Sequence, residues 1–382
     1  MRKFLRIFIS ALALVALLNA FSISVLASEA ETAIPADVWE GFREGVPDAV
    51  ENYFNAGALE DEESYFNAIE KMTTPEAIVS VLLELFGAEA ATTCRLLLLM
   101  MGVLLISAVL CVVSEQSDNK VMSSVMRFCS LGSIFCSAGY AFYTHFERLG
   151  EFFSQIAVFV NGMIPVTVSI WALGGNVTTA SAGGATLYCF LTVFEKLWAA
   201  SAVPVFALLL ILGFCDVLCT ELKSGRVLGT VKRIYGFMLG LSMTVLLSSL
   251  AAQTTLSAVA DSVSARAGRL VSSTVIPIVG GNLGEALRTV ASSVTYLKSI
   301  FGVGGIIIIA LIVLPMAISL LLTRFVFGIA STFADIIGCE RESRLLASFS
   351  EAYGCMLAVV CGVGMMFVLS LCIFMKTIVA AA

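Results

Sequence analysis

The sequence predicts an all-α protein, a polytopic membrane helix bundle with about 7 to 8 transmembrane helices plus amphipathic interfacial or re-entrant helices. Three observations predict it. Of 382 residues, 59% are hydrophobic and 13% charged, against about 25% charged in a soluble globular domain. Mean hydropathy is +0.98, and apolar runs long enough to cross a hydrocarbon core recur along the chain. Between two of these runs, Leu256 to Lys298 has helical periodicity but carries charges and serines.

The chain opens with Arg2, Lys3 and Arg6, an apolar run from Leu12 to Leu18, and small residues up to Ala27 before Ser28. That is the arrangement of a secretory signal peptide, residues 1–27, cleaved after Ala27. An uncleaved anchor is the alternative, because Phe21 to Leu26 prolongs the apolar stretch. Residues 28–94 form an acidic extracytoplasmic segment. Its carboxylates alternate with Trp39, Phe42, Tyr53, Phe54, Tyr65 and Phe66, which predicts short helices lying on the membrane with a solvated face, or a docking surface for a partner.

Residues 95–253 form the main membrane bundle. Leu96 to Val113 is the first secure span, eighteen uncharged residues. Apolar segments continue at Phe128–Thr144, Phe152–Leu173, Ala185–Ala200, Val203–Cys219 and Ile234–Ala252. Beyond 300 come Gly302–Leu322 and Cys355–Met375. Lys120 and Arg127, then Lys223, Arg226, Lys232 and Arg233, mark inner loops by the positive-inside rule. That count puts His145–Glu151 outside, Gly174–Gly184 inside and Leu256–Lys298 outside. Ala185–Cys219 is its weak point: one long helix there would lower the count and invert every later segment. Asn161, Pro165, Pro204 and Pro315 interrupt spans, while Gly236 with Gly240 makes a small-xxx-small face.

Several chemistries find little support. Net charge is −6, and the one dense basic run reads as a topology signal, so nucleic acid is excluded as a partner and membrane lipid expected. The eleven cysteines read as small hydrophobes; Cys215 and Cys219 lack the second ligand pair a metal site needs. His145, the only histidine, has no base partner readable nearby and reads as interfacial. Gly302-Val303-Gly304-Gly305 lacks the Gly-Lys-Ser/Thr ending of a phosphate loop and reads as close helix packing. Asn176-Val177-Thr178 matches a glycosylation acceptor but falls in a predicted inner loop. No nucleophile and base pair is legible. No catalytic residue, cofactor or metal is expected.

The stretch 254–299 reads as a hinged amphipathic helical hairpin. Leu256, Val259, Val263, Ala267 and Leu270 recur at helical spacing, as do Leu283, Leu287, Val290, Val294 and Leu297. Between them, Ile276-Pro277-Ile278-Val279-Gly280-Gly281 forbids continuous helix at Pro277 and frees the backbone at Gly280 and Gly281. Ser264 and Ser292 are candidate pore-lining positions; Lys298, Gly302 and Gly305 complete the candidate hinge or pore set. Residues 300–382 contain the last membrane helices, with Glu340 to Tyr353 expected as an interfacial helix on the inner surface.

Val275-Ile276-Pro277-Ile278-Val279-Gly280 after a polar amphipathic stretch, then Leu297-Lys298 and the Gly302–Gly305 cluster before an isoleucine-rich span, resemble the stage III sporulation protein AE family of endospore-forming Firmicutes. The resemblance covers the chain from about Leu96 onward. It implies a mother-cell membrane protein surrounding the forespore. In that setting the chain is a non-enzymatic subunit of a channel-like, secretion-like hetero-oligomer that supports endospore development. The partners it implies are the other stage III sporulation A proteins and, across the intermembrane space, stage II sporulation protein Q. The residues alone leave open an autonomous secondary transporter or permease, or a scaffold without a conducting role.

Overall fold

The computed structural model describes residues 36–376 except 48–49, 51–52, 54–61, 73, 117–119, 175–183, 219–223 and 276–279; over most of 253–299 and at several other helix ends it describes backbone only. The signal peptide, Pro277 and Asn176 lie outside the described residues. Every element among the described residues is helical. Two short helices, α1 (Ala36–Gly45) and α2 (Glu62–Met72), precede six long ones. These are α3 (Pro75–Gln116), α4 (Lys120–Leu173), α5 (Gly184–Leu218), α6 (Ser224–Val275), α7 (Gly280–Ile337) and α8 (Glu340–Lys376). Each of the six contains a segment long and apolar enough to cross a membrane.

Local sequence explains the helix ends. Thr74 accepts the Ala77 amide on its hydroxyl at 3.4 Å, with Pro75 as the first helical residue and Glu76 in the first turn of α3: an N-cap, a residue with no amide to waste, and a charge matched to the helix dipole. Asp216 of α5 accepts the Gly225 amide at the start of α6. The α7–α8 turn is a Schellman motif. Gly338 takes φ +87°, the Cys339 amide reaches the Ala334 carbonyl at 2.9 Å, and the Gly338 amide that of Asp335 at 3.1 Å.

Two pairs of sequence neighbours, α3 with α4 and α7 with α8, pack antiparallel. Along α3 and α4, Ser114 bonds Ser123 at one end and Glu89 pairs with Arg148 farther along. Along α7 and α8, Ser331 meets Ser343, Arg324 meets Ser350, and Val313 faces Gly364. Helix α8 lies at the heart of the bundle, with Leu346, Phe349, Ala352, Tyr353, Met356 and Val360 fully buried. It touches α4, α5, α6 and α7. Close approach is made at glycines: side chains of Arg324, Leu239 and Val313 occupy the space where Cβ atoms of Gly354, Gly362 and Gly364 would sit. By contrast α3 shows lipid-compatible apolar side chains outward, Leu98 at 73% and Ile106 at 64% exposure.

The eight apolar segments therefore fall on six helices. Phe128–Thr144 and Phe152–Leu173 are one helix, α4, of 54 residues. Ala185–Ala200 and Val203–Cys219 lie along α5, also unbroken to Leu218. The physical reason is local: His145–Glu151 has no proline or turn pair, and its polar groups find partners on neighbouring helices, so nothing obliges the chain to turn. Pro165, Pro204 and Pro315 likewise sit inside continuous helices.

Two further expectations are corrected. Residues 340–353 do not form a separate interfacial helix. They are the first half of α8, and Leu345, Leu346, Phe349 and Tyr353 are completely buried in the bundle, which leaves no apolar face for lipid. The acidic N-terminal segment packs against the bundle. Trp39 and Phe42 of α1, Tyr65 of α2 and Phe301 of α7 form one aromatic cluster, with ring centroids 5.0–5.8 Å apart. Burying aromatics of this size outweighs keeping the segment's acidic face solvated, since only one face is needed for water.

Of the stretch predicted as a hairpin, the helical backbone on either side of 276–279 is described. Its two helices are not separate elements: α6 continues from its apolar segment to Val275, and α7 starts at Gly280 and runs on into its own. At 1.5 Å per residue, the part of α6 beyond Ser249 extends for about 39 Å.

Candidate functional site

Halfway along the bundle, four helices contribute polar side chains to one network. From α4, His145 and Arg148 are one helical turn apart and face the same way. From α7, Ser319 and Thr323 have the same spacing. Helix α3 supplies Glu89 and α8 supplies Tyr353. The three-to-four residue spacing puts each pair on one stripe.

Imidazole Nδ1 of His145 lies 2.6 Å from the Ala141 carbonyl oxygen. A carbonyl can only accept, so Nδ1 carries the proton and Nε2 is the acceptor of the neutral ring. Nε2 lies 3.3 Å from both the Ser319 and Thr323 hydroxyls. Arg148 donates to Glu89 Oε1 at 2.5 Å and to Ser319 Oγ at 3.0 Å, while Ser319 donates to Glu89 Oε2 at 3.1 Å. Ser319 has one proton, and it goes to Glu89; Thr323 is left to donate to Nε2. Tyr353 completes the network with its hydroxyl 3.4 Å from Nδ1 and its ring edge-on to the imidazole at 5.1 Å. His145 and Ser319 are buried; the pair at the rim is more open, Arg148 at 40% and Glu89 at 18% side-chain exposure.

Other charges gather at this level. Lys232 of α6 pairs with Glu351, and Arg324 packs on Gly354, so residues 351–354 of α8 mark a polar waist between two apolar stretches. Glu342 is a separate buried carboxylate nearer the α7–α8 turn, accepting from Ser130 at 2.6 Å.

The sequence reading missed this network. It placed His145 in an outer loop as an interfacial residue; the structure places it in mid-helix, 6% exposed. The available signal was His145 and Arg148 on one stripe inside an apolar context, where ionisable residues are functional candidates by default. Ser319 and His145 meet, yet the arrangement does not suit acyl transfer. In such sites the carboxylate orients the imidazole through Nδ1, whereas here Nδ1 serves a backbone carbonyl and Glu89 takes the serine proton.

The predicted site residues are not brought together with the network. Ser264 lies on α6, and Gly280, Gly281 and Ser292 on the first turns of α7. Lys298 is buried at 3% exposure, and burial lowers its ammonium pKa to about 8. Gly302 is buried in α7. Gly305 packs against Leu371, Met163 and Phe159, and beside it Gly304 makes room for the Tyr65 hydroxyl. A cavity of about 30 Å³ lies between α4, α5, α7 and α8, enough for about one water. Its only polar side chains, Thr167 and Ser370, bond their own helix carbonyls. Among the described residues no group of three metal-ligating side chains occurs.

Six long apolar helices around a buried polar centre define a polytopic helical membrane protein. The chain belongs to the Stage III sporulation protein AE family, whose characteristic sequence it matches over residues 62–377. It is 21% identical over 306 residues to Stage III sporulation protein AE of Bacillus subtilis strain 168, covering 79% of this chain and 76% of that protein. No solved structure matches it. The family match begins at Glu62, well before Leu96, and so takes in α2 and its Tyr65.

Proposed function

We propose that the chain is a non-enzymatic subunit of the channel-like complex between mother cell and forespore that endospore development requires, residing in the mother-cell membrane around the forespore. The observation that carries this reading is the family match, which extends from α2 to the end of α8. Its proposed partners are the other stage III sporulation A proteins and, across the intermembrane space, stage II sporulation protein Q.

Orientation comes from counting six crossings. Each of the two mergers removes one crossing, so together they restore the parity of everything after α5. The basic connection before α6 and Arg341 and Arg344 at the start of α8 stay inside, and the α6–α7 hairpin stays outside. Only the connection 174–183 changes sides. The hairpin then reaches into the space where a forespore partner would meet it, and α1 and α2 dock at the same end, against Gly162 and Phe301.

The test is made in an endospore former carrying this gene. An affinity-tagged full chain purified from sporulating cells after engulfment should retain the other stage III sporulation A proteins. Pro277→Ala and Gly280→Val should lower spore yield with membrane insertion unchanged. Purification of the chain free of these proteins, with wild-type spore yield in both variants, would refute the reading. The buried network is the one feature favouring an autonomous secondary transporter. Solute accumulation driven by an ion gradient in vesicles containing this chain alone would establish that alternative.

A further inference from the structure

We propose that the network joining His145, Ser319, Thr323, Glu89 and Arg148 is a proton-binding site, in which His145 Nε2 takes a proton arriving at the Glu89–Arg148 rim. Three features of the geometry argue for it. First, Nε2 is the one ring nitrogen with a lone pair to offer, because Nδ1 is committed to Ala141 at 2.6 Å. Second, its neighbours are hydroxyls, 3.3 Å away, that can donate or accept. When Nε2 is bare, Thr323 donates to it; when Nε2 bears hydrogen, the same oxygens accept, and the site needs no rearrangement of backbone. Third, Ser319 bridges the imidazole to the Glu89 carboxylate at 3.1 Å, so the ring is coupled to the Glu89–Arg148 pair and a charge on it is felt by both.

The step balances simply. A hydronium ion at the rim gives up one proton and leaves as water; one N–H bond forms at Nε2, and the ring gains one positive charge. Arg148, at 40% side-chain exposure, is more open than Glu89 at 18%, so this pair forms the edge of the network. The charged groups acting on His145 are Arg148 on its own helix and Glu89 on α3. From α7 and α8 it faces Ser319, Thr323 and Tyr353; the neighbouring Arg324 is turned onto Gly354, and α5 presents the ring of Phe206 to Tyr353. A metal ion suits the site poorly, since one imidazole nitrogen and one carboxylate oxygen would have to hold it beside a guanidinium.

The chain contains one histidine, so ring ¹⁵N labelling of histidine in the full protein, carrying no histidine tag and held in lipid nanodiscs, reports this residue alone. At high pH the spectrum should show the neutral ring protonated on Nδ1. A single protonation step should occur within about pH 5–8, the range of histidine switches. Glu89→Gln should move that step to lower pH and Arg148→Gln to higher pH, each by about half a unit or more. Arg148→Lys, which keeps the charge, should leave it nearly in place. An imidazole that stays neutral across the whole range in the wild-type protein overturns the proposal and makes the network a structural tie. Shifts of the same sign in the two charge-removing variants overturn it too.

Discussion

Gly45 of α1 and Gly162 of α4 meet backbone to backbone, so that a methyl group on Gly45 would come within 2.7 Å of the Gly162 Cα. No side chain can swing away to relieve that contact. Gly162→Ala should therefore lift α1 from the bundle at a cost of about 1–3 kcal/mol, the usual penalty for overpacking. Gly41→Ala is the internal control: its methyl would meet nothing within 4 Å, and alanine favours helix over glycine by about 1 kcal/mol. Trypsin cutting at the exposed Arg43 in detergent-solubilised protein measures both. Faster cutting is expected for Gly162→Ala, and equal or slower cutting for Gly41→Ala.

Tyr65 and Gly304 fit together in the same region. The tyrosine is completely buried, burial raises its phenol pKa, and its hydroxyl and ring carbon Cζ fill the space a Cβ on Gly304 would need. Gly304→Ala should lower the thermal midpoint of the purified protein. Adding Tyr65→Phe removes the hydroxyl and leaves Cζ at 2.9 Å, so the double variant should recover part of the loss. That coupling is what separates a direct clash from a general loss of helix packing; two additive losses would contradict it.

The fold class was readable because it depends on composition and run length, which the chain displays openly. Where the helices end was less readable. His145–Glu151 resembles a loop only if its charges must meet water. In the folded chain Arg148 finds Glu89 and Ser319, 59 and 171 positions away, and no local window can reveal partners at that separation. The amphipathic run Glu340–Tyr353 misled for a related reason. An apolar stripe on a helix looks the same whether it faces lipid or Phe142 and Phe327. The turn at Gly338, by contrast, carried a local signal, glycine just past a helical run, that the division of the chain at Leu322 passed over. The helical periodicity on either side of Pro277 is legible without knowledge of partners, and helix is found up to Val275 and from Gly280 onward.

Lys298 gives a pH test of the hairpin's base. Its position precedes the apolar segment beginning at Ile300, and burial lowers its pKa from 10.5 to about 8. Below pH 8 the ammonium is present in folded and unfolded chains alike, and burial makes the charged form less favourable in the folded chain than in water. Between about 8 and 10.5 the folded chain has released the proton while the unfolded chain still binds it, so stability rises with pH. The gain is at most about 3 kcal/mol, from 1.36 kcal/mol per pH unit. Thermal unfolding in detergent should thus move to higher temperature from pH 7.5 to 10. Lys298→Met should flatten that rise. A wild-type midpoint that falls steadily over this range would show that the ammonium is held well enough to offset its burial.

The connection 174–183 decides the number of crossings. Eight separate crossings put Asn176 inside; the six helices, with an extracytoplasmic start, put it outside, because α4 then crosses once where two segments had been counted. Everything after α5 keeps its side in both counts, so a reporter in the α6–α7 hairpin or at the chain's end cannot tell them apart. Asn176→Cys can. In a background whose native cysteines are replaced by alanine or serine, an impermeant thiol reagent added to intact non-sporulating cells expressing the gene in their cell membrane should label Asn176→Cys and Ser264→Cys, and leave Lys223→Cys unlabelled until the membrane is opened. Labelling of Ser264→Cys without Asn176→Cys would restore the eight-crossing count. It would then require α4 to break near His145 in the membrane, and the polar network built on that helix would have to come apart with it.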